Sequence, residues 1–353
     1  MDRFVSASLE TAPAASSEAA TAPRRRDRTL VFEPPNQLSS QSFPSWARLS
    51  PRGERDGGAF TEAVFSAGAS LAVFDAILQG DPRFAGALRQ RLALRAGANC
   101  ASMLRLREDE GALRDAEHLA PAQTQTSPAG RLHRLWRSFA SRPARLNEER
   151  LRAAAELLNV EQAIDAETFV GSLEDLEREN RNPLALAALA ASFTIGALPD
   201  APRADAEVLA LWAADLVLAR LLGWGRAVPL LATKILDPSL RVGPAGKRPR
   251  PGDPDWPEAA AHAYALAARN AHALAADLAR RSERSLAALP KLRAKGAGRV
   301  IELLLSDDAV SPANAAKAAG LSDRASRRLF DRLIELGAVR ELTGRPNFRL
   351  YGL

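Results

Sequence analysis

Arg324, Arg327 and Arg328 stand three and four residues apart behind Ser322-Asp323. On a helix, that spacing puts three guanidinium groups on one side. A serine before such a run accepts a hydrogen bond from an early helical amide and starts the helix. Arginines on the first turns of an exposed helix suit the DNA major groove, where a guanidinium bonds a guanine edge bidentately or clamps a phosphate. Lys317 lies on the preceding helical stretch, and Arg345 and Arg349 follow in a turn and the segment after it. The predicted DNA-binding set is therefore Ser322, Asp323, Arg324, Arg327, Arg328, Lys317, Arg345 and Arg349. Helical arginines are also often merely solvated, and the competing expectation is a module that docks a protein partner.

Several elements must position these groups. Val300, Ile301, Leu304 and Leu305 give a first helix, Gly298 to Ser306, its apolar face. Ser311-Pro312 starts a second, with serine as cap and proline in the first turn. Its alanines, Pro312-Ala-Asn-Ala-Ala-Lys-Ala-Ala319, let another helix cross closely. Gly320 supplies the turn, Leu321 fills the core, and the third helix runs from Asp323 to Leu336, ending at Gly337. Ala325, Leu329, Leu333 and Leu336 share its inner side, opposite Arg324, Arg327, Arg328 and Asp331. Val339-Arg-Glu-Leu342 and Phe348-Arg-Leu-Tyr351 then alternate around a Thr343–Asn347 turn, the pattern of a β-hairpin with Arg345 at its tip. Three helices and a hairpin make a winged helix-turn-helix over residues 297–353. The spacing of Gly320-Leu-Ser, Arg328-Leu, Leu333 and Leu336-Gly-Ala-Val339 resembles bacterial winged-helix regulators of the MarR and GntR type. Ser326 departs from that pattern, standing where a valine is usually buried.

Charge singles out the same region. Residues 240–353 hold 20 Lys+Arg against 12 Asp+Glu, whereas residues 51–239 hold 22 against 25. A basic segment on a slightly acidic body suggests a polyanion partner for that segment alone. The 5% aromatic content argues against a base-stacking platform of the RRM or OB kind. One cysteine, Cys100, excludes a disulfide framework and fits a reducing, cytoplasmic setting.

The rest reads as all-α. Helical periods recur at Phe60–Leu78, Phe84–Leu106, Gly130–Ser138, Asn147–Leu158, Ile164–Arg178, Pro183–Leu198, Ala204–Leu222 and Val228–Leu236. The predicted organisation is a disordered arm (1–45), an all-helical, bundle-like domain (46–237), a Pro/Gly-rich linker or loop (238–254), a long helix with its connector (255–296) and the winged helix (297–353). Asp255-Trp-Pro-Glu258 resembles a capping box at the start of the long helix. That helix either packs on the body or pairs two copies into a homodimer. No signal peptide is expected, and Arg24–Arg28 reads as a solvated basic stretch. The most apolar run, Leu184 to Leu198, is too short for a bilayer, so no membrane partner is expected.

Other chemistry is weaker. The acids of Arg105–His118 are candidate metal ligands with His118, or Glu108 and Asp115 face a pocket, but a capped helix start with solvated pairs fits better. His262 and His272 lie on nearly opposite sides of one helix and cannot chelate together; His133 and Cys100 read as packed residues. Nucleophile-elbow, P-loop and dinucleotide-binding motifs are absent. No metal, cofactor or enzymatic activity is expected.

Phe43-Pro-Ser-Trp-Ala-Arg48, Leu106-Arg-Glu-Asp-Glu-Gly-Ala-Leu-Arg-Asp-Ala116, Pro128-Ala-Gly-Arg131, Leu222-Gly-Trp224, Gly252-Asp-Pro-Asp-Trp256 and Lys291-Leu-Arg-Ala-Lys-Gly296 together resemble the alphaproteobacterial domain-of-unknown-function family 1403. The end, Leu342-Thr-Gly-Arg and Phe348-Arg-Leu-Tyr-Gly352, is similar to winged-helix ends of proteins on rhizobial plasmids. The resemblance implies a bacterial, often mobile-element setting and transfers no functional residues. The function expected from residues and resemblance together is DNA binding in transcription or plasmid maintenance. The alternative is a non-enzymatic interaction protein.

Overall fold

Apolar residues three and four apart build thirteen α-helices among the described residues, which are 43–47, 59–119, 126–179, 182–345 and 347–353 of this computed structural model. They are α1 (Ala59–Gln79), α2 (Ala85–Met103), α3 (Glu110–Leu119), α4 (Pro128–Ser141), α5 (Glu148–Leu158), α6 (Ala166–Glu179), α7 (Pro183–Gly196), α8 (Arg203–Leu221), α9 (Leu231–Lys234), α10 (Trp256–Ala288), α11 (Ala297–Ser306), α12 (Pro312–Ala319) and α13 (Asp323–Glu335). Two short strands, β1 (Arg340–Glu341) and β2 (Tyr351–Gly352), pair antiparallel with Arg340 opposite Gly352. The chain is all-α, as its periodicity predicts. The described residues fall in one compact unit, 34–353. The arm predicted over 1–45, with its Arg24–Arg28 run, lies outside the described residues except for 43–45.

Side chains start the helices where sequence places them. Asn147 accepts from the Arg150 amide at 2.9 Å, and Asn182 accepts from Leu184 and Ala185 at 3.1 Å each. The Asp255 box does not form: its side chain makes no capping hydrogen bond. Near Val228–Leu236 only one helical turn, α9, is present, because the Leu230 and Leu231 amides are drawn to the buried Asp215 carboxylate of α8, at 2.8 and 3.1 Å. Burial pushes the Asp215 pKa up to about 7, against the pull of those amides.

Helix α8 forms the centre, buried from Ala206 to Ala219 and packed against α5, α7 and α9. Helix α10 lies along α1 and also meets α2, α7 and α9. Its apolar face therefore packs within the chain, the first of the two roles the sequence allowed. Helix α1, and not the shorter α7 that holds most of the Leu184–Leu198 run, is long and apolar enough to cross a bilayer (Phe60–Gln79, mean hydropathy 1.4). Its inner side meets α10, while Phe60 and Phe65 are exposed. Arg150 is buried and, among the described residues, meets no carboxylate. Its guanidinium donates to the Pro143 and Phe139 carbonyls and covers the Phe139 and Trp212 rings, and burial lowers its pKa to about 10. The 238–254 segment is irregular but attached: Leu240 is buried and Arg248 meets Glu207 at 2.5 Å.

Candidate nucleic-acid interface

Helices α11, α12 and α13 enclose a small core of Val300, Ile301, Leu304, Ala315, Leu329, Phe330 and Leu333. Ser311 accepts from the Asn314 amide to cap α12, and Ser322 accepts from the Ala325 amide to cap α13, both at 3.2 Å. Gly320 joins the two helices at φ +64°, a conformation glycine adopts without a Cβ penalty. Ser326 is buried, and its hydroxyl donates to the Pro312 carbonyl at 2.8 Å, tying α13 to the first turn of α12. The residue that breaks the sequence pattern thus makes the crossing contact through a hydrogen bond instead of a methyl group.

The ladder is shorter than predicted. Strand β2 begins at Tyr351, and Phe348 adopts φ +57° outside any strand, 75% exposed. The Tyr351 ring stacks on Phe330 at 4.3 Å, which holds the returning strand against α13. Val310, between α11 and α12, exchanges backbone hydrogen bonds with Tyr351.

Arg324, Arg327 and Arg328 are exposed on the outer face of α13, and among the described residues none has a carboxylate partner. Asp323, in the first turn of α13, and Lys317, on α12, are exposed too, while the Ser322 hydroxyl is engaged in the cap. Arg349 is exposed, with Nε donating to the Arg345 carbonyl at 3.2 Å. Arg345 is not free: it pairs with Asp115 of α3 at 2.7 Å. The three α13 arginines therefore share one exposed helix face, and Arg345 is committed to the helical body.

A charged junction that sequence did not reveal fixes this face to the body. Asp308, after α11, accepts from Arg91 of α2 at 2.7 Å and from Arg114 of α3 at 2.5 Å. Asp307 receives both terminal nitrogens of Arg137 from α4, at 2.8 and 2.9 Å. The two arginines outweigh burial and hold the Asp308 pKa at about 2. Helices α2 and α11 touch closely: a Cβ on Gly86 would lie 2.6 Å from the Ser306 Cα.

The remaining candidates are packing residues. Asp115 of the Arg105–His118 run is paired as above, and burial lowers the pKa values of the half-buried His118 and the buried His133, His133 to about 3. His262 contacts Ser239, and His272 meets the Phe43 ring edge-on. The Cys100 thiol accepts from the Trp136 indole, and burial pushes its pKa up to about 12. Its thiolate is thus disfavoured, and with it nucleophilic chemistry. Among the described residues, no three His, Cys, Asp or Glu side chains converge to hold a metal.

Fold and candidate site define an all-helical protein with a small antiparallel ladder at the end of the chain. It belongs to the family described as Protein of unknown function (DUF1403), which it matches over residues 35–353. No curated protein matches it.

Proposed function

We propose that residues 297–353 form a winged helix-turn-helix and that the protein binds duplex DNA with α13 in the major groove. The observation that carries this is the Arg324, Arg327 and Arg328 trio, exposed and without carboxylate partners among the described residues, on a helix capped at its leading end. The Ser326 bond across α12, the Gly320 turn and the Val310–Tyr351 bridge support the helix-turn-helix and wing assignment. Ser322, Asp323 and Lys317 flank the groove contact, with Arg345 and Arg349 on the wing. The role is transcriptional regulation or maintenance of a plasmid or mobile element, non-enzymatic and cytoplasmic.

Selection of bound fragments from sheared genomic DNA by the full chain is expected to return one enriched sequence. Arg327→Ala is expected to cost about 1–3 kcal/mol and to relax preference at one position. An even loss across all sequences would make Arg327 a phosphate contact, and no enrichment at all would contradict base reading.

The Arg345–Asp115 pair competes with wing contact. Asp115→Ala should free the arginine and tighten DNA binding about two- to fivefold, the scale of an exposed ion pair. Weakened binding in a fluorescence titration would show instead that Asp115 positions the wing. Exposed Phe348 and Ile334 favour a second reading, a protein partner on this face. In that case the α13 variants leave DNA behaviour unchanged.

A further inference from the structure

On the body, Leu78 at the end of α1, Asp81 in the following turn, Arg89 of α2, and Trp224 and Arg226 after α8 surround a cleft of about 580 Å3. That is the size of a small-molecule site, about 300–1,000 Å3. We propose that this cleft binds a small molecule carrying a phosphate or carboxylate group, held between Arg89 and Arg226. The inference is independent of the DNA-binding proposal.

Arg89 is half-buried, and Arg226 stands exposed at the rim. Among the described residues, neither has an ion-pair partner or a side-chain hydrogen-bond acceptor. By contrast, Arg91, Arg114, Arg137, Arg220 and Arg248 meet carboxylates, and Arg150 donates to carbonyl oxygens. Burial first, and then the Arg226 charge, lower the Arg89 pKa, while Asp81 works the other way. Two neighbouring guanidinium groups that repel each other in a cleft are costly until an anion lies between them. Their planar forks match the oxygens of a phosphate or carboxylate. Leu78 and Trp224 give the ligand an apolar wall. The Trp224 indole is fixed in place by donating to Asp75 at 2.7 Å and by edge contact with Phe74.

The test is thermal unfolding of the full chain in inorganic phosphate against chloride at matched ionic strength. Phosphate is expected to raise the Tm of the wild type in a saturable way, since a ligand that binds only the folded state stabilises it. Arg89→Gln and Arg226→Gln are expected to abolish the rise. Without phosphate, each variant should melt at or above the wild-type temperature, because the repulsion is gone. A phosphate response that survives in both variants, or is absent from the wild type, would overturn the proposal. So would a phosphate-free Arg89→Gln protein that melts well below the wild type, since that would make Arg89 a structural group. Duplex affinity unchanged in Arg89→Gln would separate this site from DNA contact; a lost affinity would assign the arginines to the nucleic-acid path and overturn a small-molecule site.

Discussion

Asp308→Ala is expected to destabilise the protein by about 3–5 kcal/mol, the scale seen when one partner of a buried ion pair is removed. The alanine leaves Arg91, whose side chain is 5% exposed, as a buried cation with no carboxylate, and strips Arg114 of the same partner. Urea unfolding at neutral pH measures the change. A loss below about 1 kcal/mol, the range of a surface pair, would show that Asp308 does not hold the junction. The pH dependence gives a second readout. The Asp308 carboxyl sits at about 2 in the fold, below its ordinary value of about 3.9. Its stabilisation is therefore present above about pH 4 and is lost as pH falls towards 2. Asp308→Ala should remove that part of the acid sensitivity.

The second large effect is on binding. Replacing Arg324, Arg327 and Arg328 together by alanine is expected to weaken duplex binding at least about a hundredfold, since each lost contact costs about 1 kcal/mol or more. The fold should be unaffected. All three side chains are exposed, and alanine is the better helix former. Helical circular dichroism and Tm should match the wild type, so that a loss of affinity reports contact and not unfolding. A triple variant that binds as well as the wild type would remove α13 from the interface.

The outward face of α13 was legible in the sequence because a 3.6-residue period separates Leu329 and Leu333 from the arginines without further knowledge. Two inner details were not. Phe330 is buried by stacking on Tyr351, and Ser326, at a position expected to be buried, is satisfied by bonding to Pro312, so both depend on where other elements lie. Strand alternation suggested a returning hairpin strand beginning at Phe348, but the backbone is left-handed there and the strand begins at Tyr351. The junction was invisible for a plainer reason. Arg91 and Asp308 are 217 residues apart, Arg137 and Asp307 are 170 apart, and no local spacing marks such partners. The same distance hid the Arg345–Asp115 pair and the facing arginines of the cleft. The start of helix α10 was foreseen at Asp255-Trp256. Its packing along α1 was not, because an alanine-rich stripe suits another copy and a neighbouring helix equally well.

The most direct measurement is an equilibrium titration of the full chain against a labelled duplex between about 50 and 200 mM salt. With four to six phosphates neutralised, log K is expected to fall against log salt with a slope of about −4 to −5. In the α13 triple variant the slope should become shallower by as much as about 3, one unit for each arginine that meets a phosphate. Tight association that does not vary with salt, or a slope and affinity unchanged in the triple variant, would contradict DNA binding through α13.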